Sequence, residues 1–177
     1  MHSESAIPRL ARRSARLNEV PLLLVRHAHA YQRRDWTGDD KLRPLSANGA
    51  RQAEGLTSVA RKFAPFIKVY SSPYLRCLQT VQPLVQALGV DLKEAVELEE
   101  GQSSAAVRLV RSLAGKNVVA CTHGDVIAEI LVTLADEDRV DLGPNPRQAK
   151  GSVWVLDGAN GSFTSAQYFP PVLVETV

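Results

Sequence analysis

The amino-acid sequence predicts a three-layer α/β/α fold, with helices on both faces of a mostly parallel central sheet. Short apolar runs typical of buried strands alternate along the chain with segments whose apolar residues have helical spacing. This alternation is the order of parallel βαβ units. Two strand-like runs near the end, 153–156 and 163–169, are separated by a glycine-containing turn at 158–161, which predicts an antiparallel hairpin.

The first half of the chain supplies two of the predicted strands. The continuous apolar run 21–25 predicts a buried strand, and the polar segment 28–45 after it predicts a loop. Ser46 is a favourable helix N-cap, and apolar residues recur at helical spacing over 47–63. A second strand is predicted at 66–70.

The later elements continue the same alternation. They are, in chain order, a helix at 74–88 capped by Gly89, a short strand at 91–96, an acidic loop at 97–101, a helix at 103–114, a strand at 117–122, a helix from 123 to 135 and a polar loop at 136–150. The run 117–122 is mostly apolar, which is typical of a strand buried between helices. The length of 177 residues suits one domain, which we place at 20–177.

The composition argues against several classes of function. A net charge of +2 is too small to indicate a nucleic-acid partner, although it is compatible with anionic phosphate substrates. No apolar run approaches the roughly 20 residues that a bilayer-spanning helix needs. Cys77 and Cys121 form no C-x-x-C pair, so we expect buried free thiols in a reducing compartment. We therefore expect a cytoplasmic protein without a membrane partner, and a basic, disordered arm at 1–19.

Candidate functional residues follow the ends of three predicted strands. Arg26 and His27 follow the first strand, Arg76 lies in the helical turn after the second, and His123 and Gly124 follow the fourth. The carboxyl ends of parallel strands share one edge of the sheet, where α/β proteins bind ligands. Two histidines, two arginines and the adjoining helix N-termini therefore predict an anion-binding crevice.

This combination of side chains suits phosphoryl transfer. Arginine offers a planar, permanently charged fork to the oxygens of a phosphoryl group. A neutral imidazole can attack phosphorus and carry the group as phosphohistidine. Two arginines and a protonated histidine supply enough positive charge that no metal ion and no cofactor is predicted. Arg26, Arg76 or His123 alone would be an ordinary surface or turn residue, and only their joint position predicts a site.

Three segments of the sequence match the motifs of one known family. Arg26-His27-Ala28 resembles the R-H-G motif of the histidine phosphatase superfamily, which also includes the cofactor-dependent phosphoglycerate mutases. The segment 72–80 closely matches that family's S-P-x-x-R-x-x-Q-T motif, and Thr122-His123-Gly124 matches its second histidine motif. The resemblance covers about 22–169 and implies a phosphoglycerate mutase-like fold. The chain has no room for the large cap domain that mutases insert.

The resemblance implies a role for each matching residue. His27 would be the nucleophile, while Arg26, Arg76 and His123 would bind the phosphoryl oxygens and stabilise the transition state. Gly124 would also lie against the substrate. Ala28 replaces the glycine of R-H-G, and alanine is common there in the small branch that contains phosphohistidine phosphatases.

The proton donor for the leaving group is less well defined by the sequence. The segment 98–100 resembles the L-x-E segment that supplies the acid in the mutase branch, which selects Glu100, with Glu99 as its neighbour. Acid phosphatases of the superfamily place an aspartate directly after the second histidine, whereas Asp125 follows His123 by two positions. We favour Glu100 or Glu99 over Asp125.

Charged side chains are frequent in the predicted loop at 28–45. Arg33 and Arg43 lie close enough to the motifs to reach a substrate phosphate, but a solvated basic face is the simpler expectation. Asp40 and its acidic neighbours match no known metal-binding loop, so they are also expected to be solvated.

The finer likeness is to small bacterial phosphohistidine phosphatases and to the phosphatase half of two-domain MutT-type Nudix hydrolases. It rests on the segments 26–30, 40–46 and 150–156, and the sequence contains no Nudix motif. In the two-domain proteins this half removes a terminal phosphate from nucleotides, so the resemblance implies a metal-independent phosphatase. Its substrate would be a phosphorylated small molecule, a nucleotide or a phosphoprotein. Mutase-type phosphoryl transfer and a non-catalytic phosphate-binding module are the alternatives, and the sequence fixes neither the substrate nor the oligomeric state.

Overall fold

The strands of the computed structural model, which describes residues 20–174, form one sheet. They are β1 (Leu22–Arg26), β2 (Lys68–Ser71), β3 (Leu92–Glu94), β4 (Val118–Thr122), β5 (Val153–Ala159) and β6 (Ser162–Phe169). Their order across the sheet is β3-β2-β4-β1-β5-β6. The first four strands are parallel to one another, and β5 and β6 form an antiparallel hairpin beside β1. The predicted arm at 1–19 lies outside the described residues.

Helices connect the parallel strands. They are α1 (Ala47–Ala60), α2 (Leu75–Leu88), α3 (Ser103–Ser112) and α4 (Gly124–Glu137). Ser46 caps α1, since its Oγ accepts a hydrogen bond of 3.2 Å from the backbone N–H of Gly49, a contact worth about 1 kcal/mol. Gly89 ends α2 in the left-handed conformation at φ 61°, as the sequence predicts.

The three-layer prediction is confirmed by the burial of successive residues in β1. Leu22 and Leu24 pack with α3 and α4 in one apolar cluster, while Leu23 and Val25 pack with α1 and α2 in another. All four leucine and valine side chains are fully buried. Because alternate strand residues face opposite sides of a sheet, a strand covered on both faces must be apolar throughout.

Strand register brings the candidate residues to one edge of the sheet. In the parallel pair β1–β4, Arg26 lies opposite Thr122, so His27 and His123 follow neighbouring strand ends. The antiparallel strand β5 begins at Val153, opposite Val25, so the residues just before β5 also lie at this edge. No cap domain is inserted among residues 20–174.

Some predicted boundaries differ from the structure. The helix predicted at 47–63 ends at Ala60, because the next residues tighten into a turn in which the N–H of Phe63 donates to the carbonyl of Ala60. The loop predicted at 28–45 contains two short 3-10 helices, Arg33–Asp35 and Asp40–Leu42. The acidic loop at 97–101 overlaps a third, Val96–Leu98.

The structure describes both cysteines and all the helices that could be tested for membrane-spanning length among residues 20–174. Cys77 and Cys121 are both free and fully buried, as predicted. Within residues 20–174, no helix combines the length and the apolar character needed to cross a bilayer.

Candidate active site

His27 lies immediately after β1 with its imidazole 7% exposed. Its Nδ1 is 2.8 Å from the carbonyl oxygen of Ala28. Because a carbonyl only accepts hydrogen bonds, Nδ1 carries the proton and Nε2 keeps a free lone pair. Burial, together with the charges of His123, Arg76 and Arg26, lowers the pKa of His27 to about 3, although the hydrogen bond to Ala28 opposes this shift. The imidazole is therefore neutral at physiological pH, which is the form that can attack phosphorus.

His123 lies beside His27, with the two ring centroids 5.3 Å apart. Its Nδ1 is 3.3 Å from an Nη2 of Arg76, and its Nε2 is 2.9 Å from the Oγ of Ser72. A guanidinium only donates, so Nδ1 accepts from Arg76 and the Nε2–H donates to Ser72. These two contacts fix the orientation of the second histidine.

Arg76 lies in the first turn of α2 and is 1% exposed. Its Nη1 lies 3.2 Å from the carboxylate of Asp40, and its Nη2 lies 3.1 Å from that of Glu100. The guanidinium carbon lies 4.6 Å from the centroid of the Tyr74 ring. The remaining nitrogen, Nε, is buried and has no hydrogen-bond partner among the described residues. Arg76 therefore keeps one N–H that another acceptor must satisfy.

Arg26, the last residue of β1, is held against the start of α4. Its Nη1 donates to the carbonyl oxygen of Gln148. A Cβ on Gly124 would lie 2.9 Å from its guanidinium carbon, so a side chain at position 124 would displace the guanidinium from this position. Burial lowers the pKa of Arg26, an effect that the charge of Asp125 opposes. Its Nε is also buried and without a partner in the described part of the chain.

Residues of the 72–80 motif fix the geometry of the charged groups. The sequence by itself indicates no role for Thr80, whose hydroxyl accepts from the N–H of Ala28 at 2.9 Å and donates to the carbonyl of Arg76 at 2.6 Å. The Thr80 side chain therefore links the loop that carries His27 to helix α2, which carries Arg76. Gln79 similarly accepts from the N–H of Leu45 at 2.8 Å. Their place inside a recognised motif was the only indication in the sequence.

The expectation that the charged residues at 28–45 are solvated is wrong for Arg43 and Asp40. Arg43 is 7% exposed and donates to Asp40 at 2.8 Å and to the carbonyl of Tyr31 at 2.6 Å. Burial alone would raise the pKa of Asp40, but Arg43, Arg76 and Arg33 together lower it to about 2. Asp40 is therefore an ionised anchor that holds Arg76 in place.

The three candidate proton donors lie in different surroundings. Glu100 contacts Arg76 and also pairs with Arg33 at 2.9 Å. Glu99 pairs with Lys41 at 3.0 Å, and Asp125 accepts from the N–H of Gly101 at 2.8 Å. Of the three, Glu100 is the one paired with Arg76.

Ala28 has no positive φ, so the alanine that replaces the motif's glycine fits without backbone strain.

The arrangement places a side chain that could act as a nucleophile, His27, beside groups that could bind an oxyanion. The imidazole of His27 lies beside that of His123 and near enough to Arg76 and Arg26 for their charges to act on it, and both arginines have an unpaired Nε–H among the described residues. Such a pocket can hold the three outer oxygens of a phosphoryl group while the imidazole attacks phosphorus. Among residues 20–174, no group of three or more His, Cys, Asp and Glu side chains is placed to hold a metal ion.

Comparison with known proteins agrees with the motifs. The model of the histidine phosphatase superfamily, branch 1, matches residues 22–103. A curated relative, an 8-oxo-(d)GTP phosphatase of Mycolicibacterium smegmatis, is 33% identical over 156 residues, which cover 85% of this chain and 48% of the relative. The chain thus spans about half the length of the curated relative that it matches.

Solved structures show the same fold. A SixA protein from Agrobacterium tumefaciens is 24% identical, with a TM-score of 0.69 over 86% of this chain and 98% of its own. The protein histidine phosphatase SixA, solved with tungstate, is 16% identical, with a TM-score of 0.68 over 86% of this chain and 96% of its own. The phosphoglycerate mutase-like fold without a large cap is therefore confirmed. On its motifs, on the family model that matches residues 22–103 and on its 33% identical curated relative, this chain belongs to the histidine phosphatase superfamily.

Proposed function

We propose that this chain is a metal-independent phosphatase that hydrolyses a phosphate monoester, a nucleotide phosphate or a phosphohistidine through an intermediate phosphorylated on His27. One observation carries the proposal. The neutral imidazole of His27 presents a free Nε2 lone pair inside a pocket walled by His123 and two arginines. In phosphoryl transfer, positioning and charge stabilisation account for most of the catalysis, and this pocket supplies both.

The reaction would proceed in two displacements. The Nε2 of His27 attacks phosphorus in line, the bond to the leaving oxygen breaks, and that oxygen departs with a proton. Arg26 and Arg76 hold the outer oxygens, where negative charge is spread in the transition state, and His123 joins them by donating its Nε2–H to an oxygen in place of Ser72. A water molecule then attacks phosphorus from the side that the leaving oxygen vacated. The bond from phosphorus to the Nε2 of His27 breaks, which releases inorganic phosphate and restores the imidazole. The positive charges of the two guanidinium groups stabilise the negative charge on the phosphoryl oxygens, which metal ions stabilise in other phosphatases.

The relatives support two substrate classes. The curated relative is an 8-oxo-(d)GTP phosphatase, and the structural relative SixA is a protein histidine phosphatase. The higher identity to the former, at 33%, favours a nucleotide phosphate as the substrate. A nucleotide substrate also agrees with the predicted cytoplasmic location, which stays a prediction.

Glu100 is proposed as the proton donor to the leaving oxygen. Its carboxylate pairs with Arg76 at 3.1 Å, so it lies next to the site of phosphoryl transfer. A bound phosphate competes for the N–H groups of Arg76 and adds negative charge beside Glu100. Glu100 is thus the candidate acid that a phosphoryl group bound at Arg76 would contact.

We expect Glu100→Gln to lower kcat by about 10²–10⁴-fold for substrates with a poor leaving group, because they need a general acid. Turnover of p-nitrophenyl phosphate should change only a few-fold, since p-nitrophenolate leaves without a proton. Glu99→Gln is the matched control, because Glu99 pairs with Lys41 instead of Arg76. An equal loss for both types of leaving group would show that Glu100 positions Arg76 and donates no proton.

Gly124→Ala is expected to lower kcat/KM by about tenfold to 100-fold, because the added Cβ displaces the Arg26 guanidinium from the phosphoryl group. Alanine is a better helix former than glycine at the start of α4, so the Tm should not fall. Steady-state kinetics and thermal unfolding of the same sample check both parts. Unchanged kcat/KM would mean that Arg26 does not bind the substrate in this position.

A substrate panel with a chelator present tests the proposed function. The panel contains p-nitrophenyl phosphate, a nucleoside monophosphate, a nucleoside triphosphate and a phosphohistidine peptide, and is scored by release of inorganic phosphate. We expect release from at least one member in excess EDTA. No release from any substrate, or release only after a divalent cation is added, would contradict the proposal.

A further inference from the structure

The turn before β5 lies against the backbone of the nucleophile. The N–H of Gly151 lies 3.2 Å from the carbonyl oxygen of Arg26 and 3.1 Å from that of His27. The N–H of Arg26 in turn donates to the carbonyl of Ser152 at 3.1 Å. These contacts fix Lys150, the residue before Gly151, beside the peptide that carries the catalytic imidazole.

Glycine is required at position 151 to keep this turn in place. Its φ is +80°, and a Cβ there would lie 3.1 Å from the side chain of Gln52. The same Gln52 accepts a hydrogen bond of 2.8 Å from the N–H of His29. One buried side chain therefore joins the turn of Lys150 to the loop that follows the nucleophile.

Lys150 is partly buried in a region of positive charge. No carboxylate of residues 20–174 forms an ion pair with it, and the same is true of Arg26. Burial lowers the pKa of Lys150, and the charges of Arg26, Arg43 and Arg76 lower it further. Whereas Arg43 and Arg76 form ion pairs with Asp40 and Glu100, Lys150 forms none in the described part of the chain, and Arg26 has only the more distant charge of Asp125.

An ammonium that is partly buried beside the backbone of His27 and forms no ion pair with the described residues is unfavourable for folding, which favours a negatively charged ligand there. The oxygens of the transferred phosphoryl group are already matched by Arg26, Arg76 and His123. A phosphate bonded to the transferred one brings further charged oxygens into the same pocket. A lysine ammonium is a compact charge with three donors, which suits such oxygens.

We propose that Lys150 binds a second phosphate group adjacent to the transferred one, so that the site selects phosphoanhydrides such as the terminal phosphates of a nucleoside diphosphate or triphosphate. This inference rests on the proposed phosphatase function, which it narrows to a substrate class. It assigns to Lys150 a binding role in specificity, separate from the chemistry at His27.

Equilibrium binding of two probes tests this role without any turnover. Isothermal titration compares inorganic phosphate with methylenediphosphonate, a pyrophosphate analogue that cannot be hydrolysed. We expect the wild-type protein to bind the diphosphonate at least about tenfold more tightly than phosphate, as one additional charge-assisted hydrogen bond provides. Lys150→Met should remove most of this preference and change phosphate binding by less than about threefold. Lys150→Arg should retain part of the preference.

Lys116→Met is the matched control. Lys116 is exposed and precedes β4, at the sheet edge opposite the site, so its loss should leave both dissociation constants unchanged. The Tm of Lys150→Met should equal or exceed that of the wild type, because the substitution removes repulsion between like charges.

Two results would overturn the role of Lys150. The first is a wild-type protein that binds both probes equally, and the second is a Lys150→Met variant that keeps the wild-type preference. The substrate panel tests the phosphatase function separately. A protein that prefers the diphosphonate but releases no phosphate would refute the catalytic proposal and leave the binding role intact.

Discussion

Replacing His27 with alanine should lower phosphate release by at least about 10⁴-fold, because the variant has no group that can accept the phosphoryl group. The fold should survive, since β1 and the core behind it do not depend on this side chain. Phosphate release at saturating substrate, together with the Tm, checks both expectations.

His29→Ala is the matched control for this experiment. His29 is the next histidine in the chain, and its Nδ1 lies 2.7 Å from the Oγ of Ser46, outside the cluster formed by His27, Arg76 and His123. Its loss should leave turnover within about tenfold of wild type, since no catalytic contact is removed. Near-normal turnover by the His27→Ala variant would refute the role of His27 as nucleophile.

Arg76→Lys should lower kcat/KM by about 10²–10³-fold although the positive charge is retained. The guanidinium contacts Asp40, Glu100 and His123 at the same time and still has a free Nε–H. A single ammonium cannot make these contacts together. The Tm should also fall, because the partly exposed carboxylates of Asp40 and Glu100 lose hydrogen-bond donors.

Arg111→Lys separates the catalytic effect from the loss of stability. Arg111 pairs with Asp138 at 3.0 Å and with Glu137 at 2.7 Å, at the end of α3 away from the site. Its replacement should lower the Tm without lowering kcat/KM of the folded protein. A similar pattern for Arg76→Lys, with lowered Tm and normal kcat/KM, would contradict the proposed contact between Arg76 and the phosphoryl group.

The strands and the central residues of the site could be predicted because their signals are local. The apolar runs of β1 and β4 indicate strands buried on both faces, and parallel pairing of the two strands brings His27 and His123 together. The residue types at the strand ends then indicated an anion site, and the family motifs indicated the individual roles.

The electrostatic environment could not be predicted because it depends on contacts between distant segments. Asp40 was expected to be solvated, but folding brings Arg76 and Arg43 against it, and it becomes a half-buried anchor. In the sequence, Lys150 is distinguished only by its place in the segment 150–156, which resembles the small bacterial phosphatases. Its position beside His27 follows from the antiparallel register of β5 on β1, and no pattern in the neighbouring residues indicates that register.

Trapping of the phosphorylated protein tests directly whether His27 accepts the phosphoryl group. Wild-type protein is mixed with ³²P-labelled substrate, quenched in alkali within milliseconds, digested, and the labelled peptide is sequenced. We expect acid-labile, alkali-stable label on His27 and none in the His27→Ala variant. Label on His123, or on a serine or cysteine, would contradict it.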